Sequence, residues 1–229
     1  MAISRKAAIE RLSLLRPRDP SIPAVAVHFR TEPIGRDIVV DRENWVRMWV
    51  DRGHCVRSAC GLIEAQRGIT IEGQPLWLVR HRDKAHGYHS AHSDPREAIT
   101  EAEAAWAERR RVRQRWDEVE KIARELLRGR RRLRITIEDA YESALCEVGT
   151  RAFMRRVGLG RVRTLPGVAV ALLMKIEPQV GFVIFRAHER EAGLPAMAAA
   201  QGRQPCDRRP RQRGHAGIDS AFSAGGGTG

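Results

Sequence analysis

Residues 69–100 have the sequence ITIEGQPLWLVRHRDKAHGYHSAHSDPREAIT, from which a fold class can be inferred. It contains three short runs of apolar and β-branched residues, at 69–71, 75–81 and 87–91, which are separated by turn-forming residues. Such runs predict three consecutive strands joined by tight turns. Asp94 then offers an acidic helix cap, followed by Pro at the first helical position and Glu three residues after the cap. This combination predicts that a helix starts directly after the third strand.

The helix that starts here can continue without a breaker to about Leu127, before Gly129. At about 30 residues it would be much longer than the usual dozen. Its apolar residues recur at helical spacing and form one band that faces a core or a partner helix. The band consists of Ala98, Ala105, Val112, Trp116, Val119, Ala123 and Leu126. A basic stripe beside it, interrupted by Asp117, consists of Arg110, Arg113, Lys121, Arg124 and Arg128.

The residues before the three strands predict a mixture of helices and strands. Residues 3–15 have the spacing of a short helix that ends before Pro17. Strands are expected at residues 24–29 and 37–40. Asp41 is expected to cap a helix that carries Trp45, Val46, Met48 and Trp49 and ends at Gly53, and a second helix is expected over residues 56–67.

The sequence after Arg134 predicts a compact three-helix unit. Thr136 caps a first helix that ends at Gly149, Thr150 caps a second that ends at Gly158, and a third covers about residues 165–176. The last part of the chain is rich in Gly, Arg and Ala and has almost no large apolar residues, which is typical of disorder. The predicted fold class is therefore α+β: a small antiparallel sheet with a long basic helix, then the three-helix unit and a disordered tail.

These expectations divide the chain into four parts. They are an N-terminal helix or arm (1–20), an α+β domain that includes the long basic helix (21–134), a helical unit (135–195) and a disordered tail (196–229). The first two helices of the helical unit are compatible with a helix-turn-helix, whose second helix would expose Arg151, Arg155 and Arg156.

The distribution of charge is the strongest functional signal. The chain has 41 basic and 28 acidic residues, a formal net charge of +13. Residues 109–134 contain twelve basic and four acidic residues, so +8 of this charge lies in 26 residues. Charge of one sign at this density attracts polyanions such as nucleic acid, an acidic protein or an anionic lipid surface. The run RGRRRLR, residues 128–134, contains no acid and is the best candidate for that contact.

We therefore predict a nucleic-acid-binding accessory protein, not an enzyme, that acts mainly through phosphate contacts, with DNA favoured over RNA as the partner. The expected contact residues are Arg110, Arg113, Lys121, Arg124, Arg128, Arg130, Arg131, Arg132, Arg151, Arg155 and Arg156. The alternative is that the helix arginines are ordinary solvated charges, partly neutralised at four-residue spacing by pairs such as Arg113 with Asp117 and Glu120 with Arg124. A further alternative is an interaction subunit whose long helix pairs with an acidic protein or with itself.

The histidines raise a second class of function. His81, His86, His89 and His92 lie within fifteen residues, and they are the candidate ligands for zinc or another divalent metal. His81 and His89 are expected to approach each other across the hairpin. A histidine hairpin followed by a helix resembles the ββα-metal nucleases, which would imply a metal-dependent nuclease or hydrolase. Here the helix offers Glu97 or Glu101 in place of the His or Asn of that family. Structural or surface histidines are the other interpretation, and no other cofactor is indicated.

Two further features bound the interpretation. The order helix, three strands, helix over residues 54–127 resembles that of double-stranded-RNA-binding domains, and its β-β-β-α part resembles small antitoxin modules, although no shared motif accompanies the order. No secretory signal is recognisable at the N-terminus, so a cytoplasmic protein is expected. The most apolar run, residues 165–185, has Lys175 and Glu177 near its centre, and no transmembrane segment is therefore predicted.

Overall fold

The chain has an α+β fold. The computed structural model describes residues 2–17, 22–32, 46–84 and 87–194. Five antiparallel strands form one sheet in the order of the chain: β1 Val27–Glu32, β2 Val46–Arg57, β3 Ile63–Thr70, β4 Pro75–His81 and β5 Tyr88–Ser90. The helices are α1 Arg5–Leu14, α2 Pro95–Gln114, α3 Trp116–Leu127, α4 Ile137–Tyr141, α5 Glu147–Arg156, α6 Gly167–Ile176 and α7 Val180–Glu191. A second, two-stranded sheet pairs β6 Arg134–Thr136 with β7 Thr164–Pro166.

The three strands of residues 69–100 are present, and they form one edge of the larger sheet. Strand β4 has the predicted bounds, the predicted first strand is the end of the longer β3, and β5 is reduced to three residues. Asp94 caps α2 by accepting a hydrogen bond from the backbone N–H of Arg96, with Pro95 at the first helical position. The predicted class and the antiparallel sheet are therefore confirmed.

The two helices expected before residue 68 are strands, and that prediction was wrong. Val46, Met48 and Val50 are buried at every second position of β2, which is the period of a strand and not of a helix. Gly53, expected to end a helix, lies inside β2, where the register with β3 shifts between Val50 and Cys55. The expected strand at 37–40 and the expected cap Asp41 lie outside the described residues.

Helices cover both faces of the sheet. On one face Ile63, Ala65, Trp77, Val79 and Tyr88 pack against Ala98, Ile99, Ala102 and Ala105 of α2. On that same face Ala8 and Leu12 of α1 pack against Val27 and Ile69. On the other face Met48, Val50, Leu76 and Leu78 pack against Ala152 of α5. The sheet is therefore the middle layer of its part of the fold.

The expected long helix is broken at Arg115, which has φ −112° and ψ 24°. Neither Pro nor Gly lies at the break. The apolar band of α2 contacts the sheet, whereas the apolar band of α3 contacts α6 and α7. The break lets one amphipathic stretch pack into two different cores, and the expectation of an unbroken helix was wrong for that reason.

The C-terminal region does not form a clear three-helix unit, because the described residues after Thr136 contain four helices, α4 to α7. Thr136 and Asp139 form the expected reciprocal cap, but the helix that they start ends at Tyr141. Helix α5 is capped by Cys146, so Gly149 and Thr150 lie inside it. The expected disordered tail lies outside the described residues. Among the described residues, no helix combines the length and apolarity that crossing a membrane requires.

Candidate nucleic-acid interface

Residues 128–134 connect α3 to β6 and are called the arginine segment below. From Arg131 onward burial alternates along the chain: Leu133 and Ile135 are buried in the helical core, and Arg132 and Arg134 are exposed. This period of two is that of extended chain, in which every second side chain points the same way at about 6.6 Å spacing. Arg132 and Arg134 therefore project to solvent from one side of the segment, and Arg130, one alternate position earlier, is exposed as well.

The guanidinium groups of the arginine segment are mostly unpaired. Among the described residues, no carboxylate lies within ion-pair distance of Arg128, Arg130, Arg132 or Arg134. Arg131 differs, because its guanidinium lies 3.5 Å from Glu125 and 3.2 Å from Nδ1 of His188. The sequence placed Arg131 among the contact residues, whereas the structure packs it against α3 and α7.

The basic stripe of the helices is exposed, and its residues differ in whether they have an acidic partner. Arg110, Arg113 and Lys121 have no acidic partner in the described part of the chain, and Arg124 has a 3.5 Å pair with Glu120. The expected pair of Arg113 with Asp117 is not formed, since the helix break lies between them. Helix α3 carries four acidic and two basic residues, so the positive charge is concentrated at the end of α2 and in the arginine segment.

Two other arginines of this region form ion pairs within the fold, although Arg115 is exposed. Arg111 donates to both Glu108 and Glu189 at 2.6–2.8 Å, and Arg115 pairs with Glu118 at 2.7 Å. Both guanidinium groups also lie over the ring of Phe185. These contacts join α2 to α7 and leave the two charges unsuited to an external polyanion.

The three arginines expected on a recognition helix are exposed on α5. Arg151 pairs with Glu147 and donates a 3.3 Å hydrogen bond to the hydroxyl of Tyr141. Arg155 and Arg156 lie in the last turn, where positive charge is favourable because of the helix dipole. The preceding helix, α4, has five residues, which is short for the first helix of a helix-turn-helix.

The three candidate metal ligands that the structure describes do not converge. His89 pairs with Leu78 in the register of β4 and β5, so His81, three residues further along β4, lies on the opposite face and the two do not approach each other. The ring of His81 stacks on Trp106 with centroids 4.9 Å apart, and His92 lies 3.3 Å from Glu97 and 3.6 Å from Glu101. His86 lies outside the described residues. Within those residues no group of three or more His, Cys, Asp or Glu side chains could hold a metal ion.

A buried histidine–cysteine pair is a chemical feature of this region that the sequence did not predict. Nδ1 of His89 lies 3.5 Å from Sγ of Cys146, and both residues are buried. Burial and the nearby charges of Arg109 and Arg30 lower the pKa of His89 to about 4, and burial raises the pKa of the Cys146 thiol. Both groups are thus neutral at pH 7, unlike the thiolate of an activated cysteine. Because 57 residues separate them, the pair depends on packing that no local pattern predicts.

Cys55 and Cys60 lie at the end of β2 and in the turn that follows it. Sγ of Cys55 lies 3.7 Å from a carboxylate oxygen of Glu64, and Sγ of Cys60 lies 3.2 Å from the hydroxyl of Ser58. Burial, followed by the charge of Glu64, raises the pKa of Cys55.

Comparisons of the chain with protein-family models, with curated proteins and with solved structures found no match.

Proposed function

We propose that this chain binds nucleic acid through phosphate contacts made by the arginine segment, with Arg110, Arg113 and Lys121 as additional contacts. The observation that carries the proposal is that Arg132 and Arg134 project from one side of extended chain with no acidic partner among the described residues. Duplex DNA is the first partner to test, and duplex RNA the second.

The chemistry of arginine supports this assignment. Its planar guanidinium can donate two parallel hydrogen bonds to one phosphate, and it keeps its charge at any physiological pH. An unpaired guanidinium has no protein ion pair to break before it binds. Each phosphate that it neutralises also releases counterions, so binding should weaken steeply as salt rises.

The structure around the arginine segment leaves its exposed side chains accessible to a binding partner. Leu133 and Ile135 anchor the chain in the helical core, and Gly129, with φ +67°, turns it directly after α3. The exposed side chains are therefore presented from a fixed backbone. A fixed backbone lowers the conformational entropy that is lost on binding, compared with the same residues on an unanchored chain.

The test is a salt series with a triple variant, Arg130→Gln, Arg132→Gln and Arg134→Gln. Affinity for a labelled DNA duplex is measured by fluorescence anisotropy between low and physiological salt. The slope of log affinity against log salt should become shallower by about three units, roughly one for each lost phosphate contact. The same titration with an RNA duplex ranks the two nucleic acids.

A second triple variant that removes the same number of charges elsewhere distinguishes phosphate contacts of the arginine segment from the general attraction between a basic protein and nucleic acid. Arg5, Arg82 and Arg96 are exposed and lie outside the arginine segment, and their triple change to Gln removes the same three charges. This control should change the slope by less than one unit. Equal effects of the two triple variants, or no binding by the unmodified chain at low salt, would refute the proposal.

A further inference from the structure

A cavity of about 680 Å³ lies between the β5 edge of the larger sheet, α2, α5 and the C-terminal elements. This volume is within the range of small-molecule sites in proteins, about 300–1,000 Å³. Much of the lining is apolar and comes from α4 to α7 and the two-stranded sheet. It includes Ile137, Phe153, Leu165, Leu173, Val180 and Val183. An apolar enclosure of this size suits an organic molecule better than a hydrated ion.

Two arginines give the cavity an uncompensated positive charge. Arg109 and Arg113 both line it from α2, and no carboxylate of the described residues lies within ion-pair distance of either. Nε of Arg109 donates a 2.9 Å hydrogen bond to the carbonyl of Ala144. Burial, together with the neighbouring charge of Arg113, lowers the pKa of Arg109. Arginine side chains in proteins nevertheless stay protonated.

The other ionisable residues of the lining include one carboxylate, that of Glu177, which offsets part but not all of the charge of Arg109 and Arg113. Arg163 is paired with Glu138 at 2.8 Å, and Oε1 of Glu177 accepts a hydrogen bond from the backbone N–H of Gln179. His89 and Cys146 are neutral. Thr150 also lines the cavity, and its hydroxyl has no hydrogen-bond partner in the described chain. The lining therefore combines apolar walls, an unpaired hydroxyl, one carboxylate and two arginines without an ion-pair partner among the described residues, which leaves an excess of positive charge.

We propose that this cavity binds a small apolar carboxylic acid, with the carboxylate at Arg109 and Arg113 and the hydrocarbon part between Phe153 and Leu173. A carboxylate matches the fork of a guanidinium and neutralises the charge left by the protein. A neutral molecule would leave the half-buried Arg109 without a counter-charge, and a cation would be repelled. The proposal shares Arg113 with the nucleic-acid contacts proposed above, but it does not depend on them, because it rests on the cavity and not on the arginine segment.

The first experiment compares ligands that differ in charge or in length. Octanoate, octanamide and decanoate are titrated into the full chain at pH 7 by isothermal titration calorimetry. Octanoate should bind at least tenfold more tightly than octanamide. Decanoate should bind more tightly than octanoate by about fifteenfold, since each buried methylene contributes roughly fourfold. No binding of either acid at millimolar concentration, or equal affinity for acid and amide, would overturn the proposal.

Variants inside the cavity, compared with a control variant on the same helix outside it, test where the acid binds. Arg113 lines the cavity, and Arg110, exposed and unpaired on the same helix, does not. Arg113→Gln should weaken octanoate binding about tenfold, whereas Arg110→Gln should change it by less than twofold. Leu173→Trp, which fills part of the cavity, should abolish decanoate binding in a protein whose thermal unfolding shows that it is still folded. Equal losses for the two arginine variants would place the acid elsewhere and overturn the proposal.

Discussion

At the scale of single residues, Asp139 is a buried charge that is held by several partners at once. Asp139 is 1% exposed. It accepts a 2.8 Å hydrogen bond from the backbone N–H of Thr136 and a 2.6 Å hydrogen bond from Nε of Arg190. These contacts repay part of the cost of removing a carboxylate from water. The capping half of this arrangement could be predicted from the sequence, because Thr136 and Asp139 have the spacing of a capping box.

Replacement of Asp139 should therefore be costly. Asp139→Ala removes the cap of α4 and leaves Arg190 without its partner, and we expect the free energy of unfolding to fall by about 3 kcal/mol. Urea denaturation measures this change. Glu138→Ala is the control, since the neighbouring Glu138 forms only an exposed pair with Arg163, and it should change stability by less than about 0.5 kcal/mol. Comparable losses would mean that the buried contacts of Asp139 contribute little.

His89 should make stability depend on pH. Its pKa falls from 6.5 to about 4 on folding, so the unfolded chain binds more protons than the folded chain between these values. The resulting stability is fully present above pH 6.5 and is lost as pH falls toward 4, by about 3 kcal/mol from this group alone. Urea denaturation at pH 7 and pH 4 should show a smaller difference for His89→Leu than for the unmodified chain. His28 and His54, whose pKa values burial also lowers, contribute in both proteins.

At the scale of elements, turn and cap residues predict where helices and strands lie better than apolar spacing does. Strand β4 and the start of α2 follow from local signals, because Gly73 turns the chain before β4 and Asp94 with Pro95 starts α2. The sequence predicts helices over most of residues 46–67, because the apolar residues there also fit helical spacing over short windows. Their strand conformation depends on pairing with neighbouring strands, and this pairing is a contact between distant parts of the chain. The break at Arg115 is equally non-local.

The packing of α7 on α3 makes a prediction at this scale. A Cβ on Gly181 would lie 2.7 Å from Cη2 of Trp116 and 2.9 Å from Cγ1 of Val119. Gly181→Ala should therefore destabilise the protein by about 1–3 kcal/mol, even though Ala favours a helix over Gly by about 1 kcal/mol. Glu191→Ala, an exposed change in the same helix, should stay within about 0.5 kcal/mol. A stabilised Gly181→Ala variant in urea denaturation would show that α7 can move away from α3 at little cost.

At the scale of the whole molecule, the sequence located the charge but not its use. The net charge of +8 over residues 109–134 is evident from the sequence alone. Contacts made far along the chain then divide these arginines: Arg111 and Arg115 join α2 to α7, Arg131 packs against Glu125 and His188, and Arg109 lines the cavity. What remains for an external polyanion is chiefly the alternate residues of the arginine segment. The cavity itself could not be predicted, because eight separate elements contribute to its lining.

The last prediction concerns how the charge outside the described residues adds to that of the arginine segment. Residues 195–229 carry five arginines and two aspartates, so a chain ending at Leu194 has a net charge of +10 in place of +13. If the arginine segment is the interface, this shortened chain should still bind duplex DNA with a salt-dependent affinity. The triple change of Arg130, Arg132 and Arg134 to Gln should also flatten its salt slope by the same three units or so as in the full chain, because independent phosphate contacts add. Anisotropy titrations of the four proteins measure both effects. Loss of binding on shortening, or a triple variant without effect in the shortened chain, would assign the contact to residues 195–229 instead.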